Sequence, residues 1–386
     1  MRSPIVPKKP LPPLLYADTH TSADQLYFSR VDVHDPFIAF ATPSGKRVTA
    51  QSALEFGRIR KAGTFDVVEP LEEWRHRAAR RWPRATISPA EVIAELARHY
   101  RVKAFRVSDD FPAGLFLRLQ KLGLRLELAS GPLFPEREVK DTREAAAIRE
   151  GNRLCSVGFA AAEMILREST IRGRELRHGG RPLTSEALRF AIESAVMAEG
   201  GQPNGTTIVA GGNQACDPHD RGSGPLRPHE LIIIDIFPRV AKTGYFGDMT
   251  RTYLRGRTSE AQQRLVATVR EAQLAAFKTI RAGVDGRDVH RRVVEVFDRA
   301  GFETKRTKNG SVGFFHGTGH GLGLAVHEAP RLGGATSMPL KKGTVVTVEP
   351  GLYYPGIGGC RIEDVVQVTD RAPKMLSLHP YEWHLG

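Results

Sequence analysis

The chain has 386 residues, which is long for one compact domain and favours two. Its composition of 41% hydrophobic and 26% charged residues is that of an ordinary globular protein, and its longest apolar runs fall well short of the ~18 residues that a membrane-spanning helix needs. The formal net charge of +13 could attract acidic partners, but the densest basic stretch, RHRAARRWPR at 75–84, matches no recognised nucleic-acid motif. We therefore expect neither a membrane nor a nucleic acid as a main partner.

The cysteines and the N-terminal stretch indicate the compartment. Cys155, Cys216 and Cys360 are few, odd in number and far apart, which argues against a disulfide framework and favours a reducing environment. The stretch MRSPIVPKKPLPPLLYAD does not resemble a secretory signal, because its apolar part is short and broken by prolines. We expect a cytoplasmic protein.

Residues 1–138 predict a small domain in which strands and helices alternate. The stretch HDPFIAFATPSGKRVTA at 34–50 predicts two strands around a Pro-Ser-Gly-Lys turn. A helix is expected over 91–100, where EVIAELARHY has helical spacing, and strands over 102–110 and 124–128. This alternation is typical of a small α/β domain.

Residues 139–386 predict a larger domain of mixed helices and strands. Asp141 and Glu144 resemble a capping box, which begins a helix that runs to about Arg167. The stretch RGRELRHGGRPLT at 172–184 predicts a polar loop. Strand pattern appears around 206–254 and again between 312 and 370, and further helices are expected over 185–201, from Ser259 to Arg281, and from Asp285 to Arg299. The fold class predicted for the chain is α+β.

Four carboxylates stand at or within apolar strand patterns. Asp235 ends ELIIIDIF, and Asp248 follows a predicted turn, so the two could face each other on adjacent antiparallel strands. Glu349 ends the apolar stretch GTVVTVE, and Glu363 is predicted to lie inside the strand of GCRIEDVVQV, on one face with Arg361. A buried ion pair with Arg361 would explain Glu363, because an unpaired buried carboxylate is costly. That pairing leaves the other three carboxylates unexplained.

Three histidines fall within HGTGHGLGLAVHE at 316–328. His316 and His320 have the spacing of a helical zinc motif, but the glycines around them argue against a helix. Since glycine allows close approach of a backbone to a ligand, we expect His316, His320 and His327 to line a cleft. Four carboxylates balance two divalent cations, and an oxygen-rich shell completed by an imidazole favours Mn²⁺, with Co²⁺ and Zn²⁺ as alternatives. A water molecule would bridge two such ions about 3.5–4 Å apart, and the ions would also hold a carbonyl oxygen. This is the chemistry of metal-assisted amide hydrolysis.

Several of these motifs, in this order, resemble those of a known enzyme family. The Asp235 strand, GDMTRT, HGTGHGLG, HEAP, EPGLYY and RIED resemble the metallopeptidases of the creatinase or pita-bread fold, which include methionine aminopeptidase, aminopeptidase P and prolidase. The resemblance implies a pita-bread catalytic domain over 139–386, a smaller creatinase-type α/β domain over 1–138, and a homodimer. It also implies two metal ions, bridged by Asp248 and Glu363, with the full ligand set Asp235, Asp248, His320, Glu349 and Glu363.

The resemblance implies further roles around the metals. His219, in NQACDPHD, corresponds to a catalytic, substrate-side histidine, and His327 would bind substrate or stabilise the tetrahedral intermediate. His316 would line the substrate pocket, and Arg361 would contribute to substrate binding and hold the geometry of a carboxylate. Glu349 would act as general base and then pass the proton to the leaving nitrogen.

The spacing of the two aspartates departs from the family pattern. Asp235 and Asp248 are thirteen residues apart, more than is usual in the family. We interpret the difference as a longer turn, because the alternative alignment would place Phe246 at a ligand position, and a phenylalanine cannot coordinate a metal.

The N-terminal domain and the combination of HGTGHGLG with RIED resemble the proline-directed branch of the family. We therefore expect an Xaa-Pro peptidase, in which a metal-bridging hydroxide attacks the bond before proline in dipeptides or longer peptides. One alternative is another enzyme of this fold, such as a creatinase-like amidinohydrolase or a lyase, which the intact ligand set argues against. Another is a non-enzymatic pseudo-peptidase that binds peptides or nucleic acid, which the basic charge favours and the intact site opposes.

Overall fold

The computed structural model describes residues 10–203, 205, 207–308 and 310–386, and the chain divides into two compact units. The first unit ends at Glu136, and the second spans Arg137–Gly386. Across the described residues, every helix is too short or too polar to cross a lipid bilayer. Helices and largely antiparallel strands together give the α+β class that the sequence predicts.

The first unit contains six strands and five helices among its described residues. They are β1 (Leu14–Ala17), α1 (Ala23–Ser29), β2 (Phe37–Ala41), β3 (Arg47–Gln51), α2 (Ala53–Ala62), β4 (Val67–Pro70), α3 (Leu71–Arg81), α4 (Pro89–His99), β5 (Ala104–Val107), α5 (Ala113–Lys121) and β6 (Arg125–Leu128).

A four-stranded sheet in the order β1-β2-β3-β4 forms the centre of the first unit. The β2–β3 hairpin pairs Ile38 with Ala50 and confirms the two strands predicted around the turn. A separate parallel pair joins β5 and β6. Phe40, Trp74 and Phe105 are almost fully buried in one apolar core with residues of α4 and α5.

The described residues of the second unit form four helices and many short strands. They are α6 (Thr142–Glu168), β7 (Thr170–Arg172), β8 (Glu175–His178), β9 (Arg181–Pro182), α7 (Ser185–Ala198), β10 (Gly201–Gln202), β11 (Ile208–Gly211), β12 (Leu231–Ile236), β13 (Arg239–Val240), β14 (Met249–Leu254), α8 (Glu260–Thr279), α9 (Gly286–Arg299), β15 (Lys305–Thr307), β16 (Gly310–Val312), β17 (Gly319–Gly321), β18 (Glu328–Leu332), β19 (Val345–Val348), β20 (Gly351–Tyr354), β21 (Gly358–Arg361), β22 (Asp364–Gln367) and β23 (Lys374–Met375).

Three antiparallel sheets carry the strands of the second unit that matter for the site. Their strand orders are β11-β12-β14, β18-β17-β19-β22-β23 and β20-β21. Strands β12 and β14 are buried along their whole length. Helices α6 and α7 pack on one part of this framework and α8 and α9 on another, so that the strands between them lie in the interior. Polar side chains on such buried strands must find partners or ligands there.

The long helix α6 begins at the capping box that the sequence predicts. The Asp141 carboxylate accepts hydrogen bonds from the backbone N–H groups of Arg143 and Glu144, and Glu144 returns one to the Asp141 N–H. This reciprocal pairing satisfies donors that a helix start leaves open. The helix ends at Glu168, close to the predicted Arg167.

The prediction of a polar loop over residues 172–184 is wrong. The segment forms the small antiparallel sheet β7-β8-β9, whose strands are two to four residues long. Leu176 is fully buried in the core of the second unit, and its backbone pairs with Leu183 and Leu226. Strands this short carry too few residues to show an alternating pattern, and one buried leucine holds them in place.

Candidate metal centre and catalytic site

The five residues predicted as metal ligands converge inside the second unit. Asp235 lies in β12, Asp248 directly before β14, His320 in β17, Glu349 directly after β19, and Glu363 between β21 and β22. His320 Nε2 lies 3.2 Å from Glu349 Oε1 and 3.7 Å from Asp248 Oδ2. One ligand atom each of Asp248, His320 and Glu363 lies within 4.8 Å of the others. Residues that are up to 128 positions apart in the chain therefore form one cluster.

The two aspartates lie on adjacent antiparallel strands, but they do not face each other in register. Asp235 is paired with Thr250, and Asp248 lies two residues before Thr250, immediately ahead of the first residue of β14. A Cβ atom added to Gly247 would lie 2.1 Å from the backbone of Gly151, which shows how closely α6 approaches the residue before Asp248. Within the same helix, Asn152 Oδ1 accepts a hydrogen bond of 3.0 Å from the Asp248 N–H. Helix α6 therefore fixes the backbone that presents Asp248.

The glycines around His320 serve close packing of strands. The segment is the extended strand β17, as expected from the glycines, and not a helix. A Cβ atom added to Gly319 would lie 2.0 Å from the carbonyl oxygen of Thr347. The His320 N–H donates to Thr347 Oγ1 at 3.1 Å, and His320 Nδ1 lies 3.2 Å from the Gly321 carbonyl oxygen. A proton on Nδ1 directed at that carbonyl leaves the lone pair of Nε2 available to a cation held between this ring and the carboxylates.

The sequence left open an ion pair between Arg361 and Glu363, and the structure pairs Arg361 with Asp235 instead. Arg361 Nη2 lies 2.7 Å from Asp235 Oδ2, and both side chains are buried. The placement of Glu363 inside a strand is also wrong, because β21 ends at Arg361 and β22 begins at Asp364. The break between these strands frees Glu363 from the alternation that would place it beside Arg361.

The Thr250 side chain connects Arg361 to Glu363, and the sequence did not single it out. Its Oγ1 donates to Glu363 Oε2 at 2.8 Å and accepts from Arg361 Nε at 3.3 Å. A signal was available, since Thr250 is two residues after Asp248 and alternate residues of a strand share a face.

The buried carboxylates carry more negative charge than the protein itself neutralises. Asp235, Asp248 and Glu363 are at most 8% exposed, and Arg361 is the one guanidinium paired with them among the described residues. Burial and the neighbouring carboxylates raise the pKa of Asp248 and of Glu363 well above the ordinary values. Oδ1 of Asp235 is buried without a hydrogen-bond partner in the described part of the chain. An unsatisfied oxygen within an oxygen-rich donor set that includes one imidazole fits divalent cations.

A cavity of about 870 Å³ opens beside these carboxylates. His219, His316 and His327, the three histidines predicted on the substrate side, all line it. The His327 ring stands at 86° to the His320 ring with 4.4 Å between centroids. A hydrogen bond connects the loop that carries His219 to Arg361: the Pro218 carbonyl accepts it from Arg361 Nη1 at 3.4 Å. The lining also includes residues that the sequence did not single out, namely Asp217, Arg221, Phe237, Phe315 and Arg331.

His316 is connected to Arg361 through a tyrosine. His316 Nε2 lies 2.9 Å from Tyr353 Oη, which accepts a hydrogen bond of 3.1 Å from Arg361 Nη1. His316 Nδ1 lies 2.8 Å from the Gly317 carbonyl oxygen, so the neutral ring donates from Nδ1 and accepts at Nε2. Burial lowers the pKa of His316 to about 4, which keeps the ring neutral at physiological pH. Tyr353, which the sequence did not single out, therefore orients one wall of the cavity.

The sequence is similar to those of known peptidases. A sequence model of metallopeptidase family M24 matches residues 146–370. The chain is 32% identical over 281 residues to the probable dipeptidase PepE of Mycobacterium tuberculosis, covering 72% of this chain and 69% of the relative. It is 33% identical over 177 residues to the Xaa-Pro dipeptidase of Pyrococcus furiosus, covering 46% of this chain and 48% of the relative.

Solved structures show the same architecture. The X-Pro aminopeptidase from Thermotoga maritima superimposes with a TM-score of 0.80 over 97% of both chains, at 22% identity. This similarity confirms the predicted pita-bread fold.

Proposed function

Because this chain belongs to metallopeptidase family M24, we propose that it hydrolyses the peptide bond before proline, with Xaa-Pro dipeptides as its preferred substrates. The observation that carries the proposal is the set of four carboxylates, three of them buried, with His320 beside a cavity large enough for a short peptide. The names of two curated relatives, a probable dipeptidase and an Xaa-Pro dipeptidase, support the choice of substrate.

The residues that would hold two divalent cations are Asp235, Asp248, His320, Glu349 and Glu363. Their oxygen-rich chemistry favours Mn²⁺. When bound, such ions polarise the scissile carbonyl and lower the pKa of a water molecule.

Glu349 is positioned to move the proton. Its side chain is 18% exposed, more than those of the other four proposed ligands, and it lines the cavity. The Thr347 hydroxyl donates to Glu349 Oε1 at 3.3 Å and fixes the carboxylate. We assign Glu349 Oε1 and Oε2 the role of accepting the proton of the attacking water and delivering it to the proline nitrogen as the bond breaks.

Histidines on the cavity wall would stabilise the developing oxyanion. His327 is exposed to the cavity and lies next to His320, and His219 is exposed on the same wall. A donor N–H of either ring could reach the carbonyl oxygen of a bound peptide, where negative charge develops in the transition state. His316 uses both ring nitrogens within the protein and contributes its ring to the wall.

Two arginines of the cavity support the choice of dipeptides as preferred substrates. Arg221 and Arg331 are exposed and line the same cavity. In an Xaa-Pro dipeptide the C-terminal carboxylate is carried by the proline itself, close to the scissile bond. A guanidinium binds a carboxylate through two parallel hydrogen bonds, so a free carboxylate at this position gains affinity that a longer peptide does not.

The test compares Ala-Pro with Ala-Pro-Ala after reconstitution with Mn²⁺, alongside elemental analysis of bound metal. Cleavage of Ala-Pro with little release of alanine from Ala-Pro-Ala would support the proposal. Cleavage of the tripeptide at equal or higher rate would replace the dipeptidase assignment by an aminopeptidase. Two bound ions without cleavage of either peptide would mean that the chain is a metal-binding hydrolase with a different substrate. Absence of both metal and cleavage would overturn the proposed function.

The matched variants for this assay are Glu349→Gln and Glu303→Gln. Glu303 is a glutamate that lies outside the cavity lining and forms an exposed ion pair with Lys305. We expect the first variant to lose most of its turnover and the second to keep it. The homodimer implied by the family resemblance remains a prediction, which light scattering of the purified chain would check.

A further inference from the structure

A second cluster of potential metal ligands lies on the surface of the first unit. His20 Nε2 is 3.1 Å from Asp32 Oδ1, and the rings of His20 and His34 stack with centroids 4.3 Å apart and planes within 17°. One ligand atom from each of His20, Asp32 and His34 lies within 4.8 Å of the others. All three belong to the first unit, whereas every residue of the candidate active site belongs to the second.

Buried backbone contacts hold the two segments of this cluster together. Thr19 N donates to the Val33 carbonyl at 3.0 Å, and Val33 N donates to Thr19 Oγ1 at 2.7 Å. Both residues are at most 2% exposed. The Thr19 hydroxyl also lies 3.2 Å from Asp32 Oδ1, and Arg58 Nη2 donates to the Asp32 carbonyl at 2.7 Å. The residues that precede His20 and His34 are therefore fixed against each other before any ligand binds.

The donor set selects a class of cation. Two imidazoles and one carboxylate suit borderline transition metals such as Zn²⁺, while Mg²⁺ and Ca²⁺ prefer shells made of oxygen alone. Tetrahedral bonds of about 2.0–2.1 Å place ligand atoms about 3.4 Å apart. The His20–Asp32 separation of 3.1 Å is close to this spacing. A nitrogen of the exposed His34 lies within 4.8 Å of both other ligand atoms, and coordination of the same ion requires the His34 ring to turn out of its stack with His20.

We propose that His20, Asp32 and His34 form a binding site for one borderline divalent transition-metal ion, with Zn²⁺ as its natural probe. Three protein ligands leave a coordination position open to solvent, since all three side chains are exposed. The chain would then bind one ion in the first unit in addition to those held by the active-site carboxylates. This site is independent of the proposed peptidase activity.

The test uses the full chain, dialysed against buffered free Zn²⁺ and analysed for zinc per chain. The variants are His34→Ala and His20→Ala, and the matched control is His76→Ala, which removes an exposed histidine of α3 in the same unit. We expect the two cluster variants to bind one zinc ion fewer than the wild type and the control to bind the same number. Turnover of Ala-Pro with Mn²⁺ should be equal in all four proteins.

The outcomes separate a built site from an ordinary surface contact. Equal zinc content in wild type and both cluster variants would overturn the proposal and leave His20 and Asp32 as a surface contact only. An equal loss in the His76→Ala control would also overturn it, because any surface histidine would then bind zinc. Circular dichroism checks that the variants fold, and His34→Gln, which keeps the size of the side chain, replaces any variant that does not. If the wild type cleaved neither peptide, the proposed function would fail but the zinc test would still be valid, because the amount of bound zinc is measured without turnover.

Discussion

Arg361 Nη2 lies 2.7 Å from Asp235 Oδ2 in the interior of the second unit, and the same guanidinium also contacts Thr250, Tyr353 and the carbonyl of Pro218. One side chain thus orients a proposed metal ligand, the Thr250 hydroxyl, the tyrosine that contacts His316, and the loop before His219. Replacing Arg361 should therefore disturb metal binding and substrate binding together.

The first prediction concerns Arg361→Lys. An ammonium keeps the charge but cannot reproduce the planar fork that reaches several acceptors at once. Loss of such an orienting partner typically reduces metal affinity or activity about 10–100-fold. We expect this loss in a Mn²⁺ titration of turnover, with Arg292→Lys on the exposed face of α9 as the control. Unchanged metal affinity and turnover in Arg361→Lys would contradict the role.

The second prediction concerns the hydroxyl of Thr250. Thr250→Val keeps the shape of the side chain and removes the hydrogen bond to Glu363 Oε2. We expect Mn²⁺ affinity to fall by about tenfold, the lower end of the range for partners of metal ligands. Thr268→Val is the control, because Thr268 is also buried but donates to a helix carbonyl of Arg264. Equal metal affinity in both variants would show that Thr250 has no positioning role.

The third prediction concerns the ion pair of Lys140 and Glu328. Lys140 Nζ lies 2.9 Å from Glu328 Oε2, with the two side chains 1% and 8% exposed, and Arg137 also pairs with Glu328. Lys140→Met leaves a buried carboxylate with one partner fewer, which typically costs about 3–5 kcal/mol when a buried pair is broken. Because Arg137 remains, we expect a loss toward the lower end of this range in the unfolding of the second unit.

The control for this pair is Lys341→Met. Lys341 Nζ lies at a similar 2.8 Å from Glu138, but the lysine is 59% exposed. Exposed pairs contribute about 0–1 kcal/mol, so this variant should unfold close to the wild type. A loss of stability in Lys341→Met as large as that in Lys140→Met would contradict the importance of burial.

The fourth prediction is the pH dependence of the same pair. Burial alone would raise the pKa of Glu328, but the charges of Lys140 and Arg137 outweigh it and lower the pKa. A carboxyl whose pKa is lower in the folded state contributes stability above its unfolded pKa of about 4.3 and loses that contribution as pH falls through the folded pKa. The stability difference between wild type and Lys140→Met should therefore shrink as pH decreases below about 4. Unfolding curves measured across this range would contradict the assignment if the difference stayed constant.

The sequence predicted the site residues whose type is unusual at their position, such as carboxylates at the ends of apolar strands. It did not predict site residues of types that are common in strands, such as those with hydroxyl groups. Asp235, Asp248 and Glu349 stand out because carboxylates are rare at the ends of buried apolar strands. Tyr353 and Thr250 carry hydroxyls that occur in many strands. The spacing of Thr250 from Asp248 places Thr250 near the site, but the sequence does not indicate which partner either hydroxyl contacts. The pairing of Arg361 with Asp235 joins residues 126 positions apart, so it is a tertiary feature that leaves no local pattern in the sequence.

The last prediction concerns substrate length and Arg331. If Arg331 binds the carboxylate of a dipeptide, Arg331→Gln should raise the KM for Ala-Pro while kcat changes less. A hydrogen bond to a charged group contributes about 1.5–3 kcal/mol, which corresponds to about a 10–150-fold change. The wild type should also prefer Ala-Pro over its C-terminal amide, and the variant should lose this preference, since the amide lacks the charge that the guanidinium binds. Arg221→Gln, measured in the same way, tests the other guanidinium of the cavity, and Arg292→Gln serves as the exposed control outside it. A preference for the free acid that survives in both cavity variants would show that neither arginine selects dipeptides.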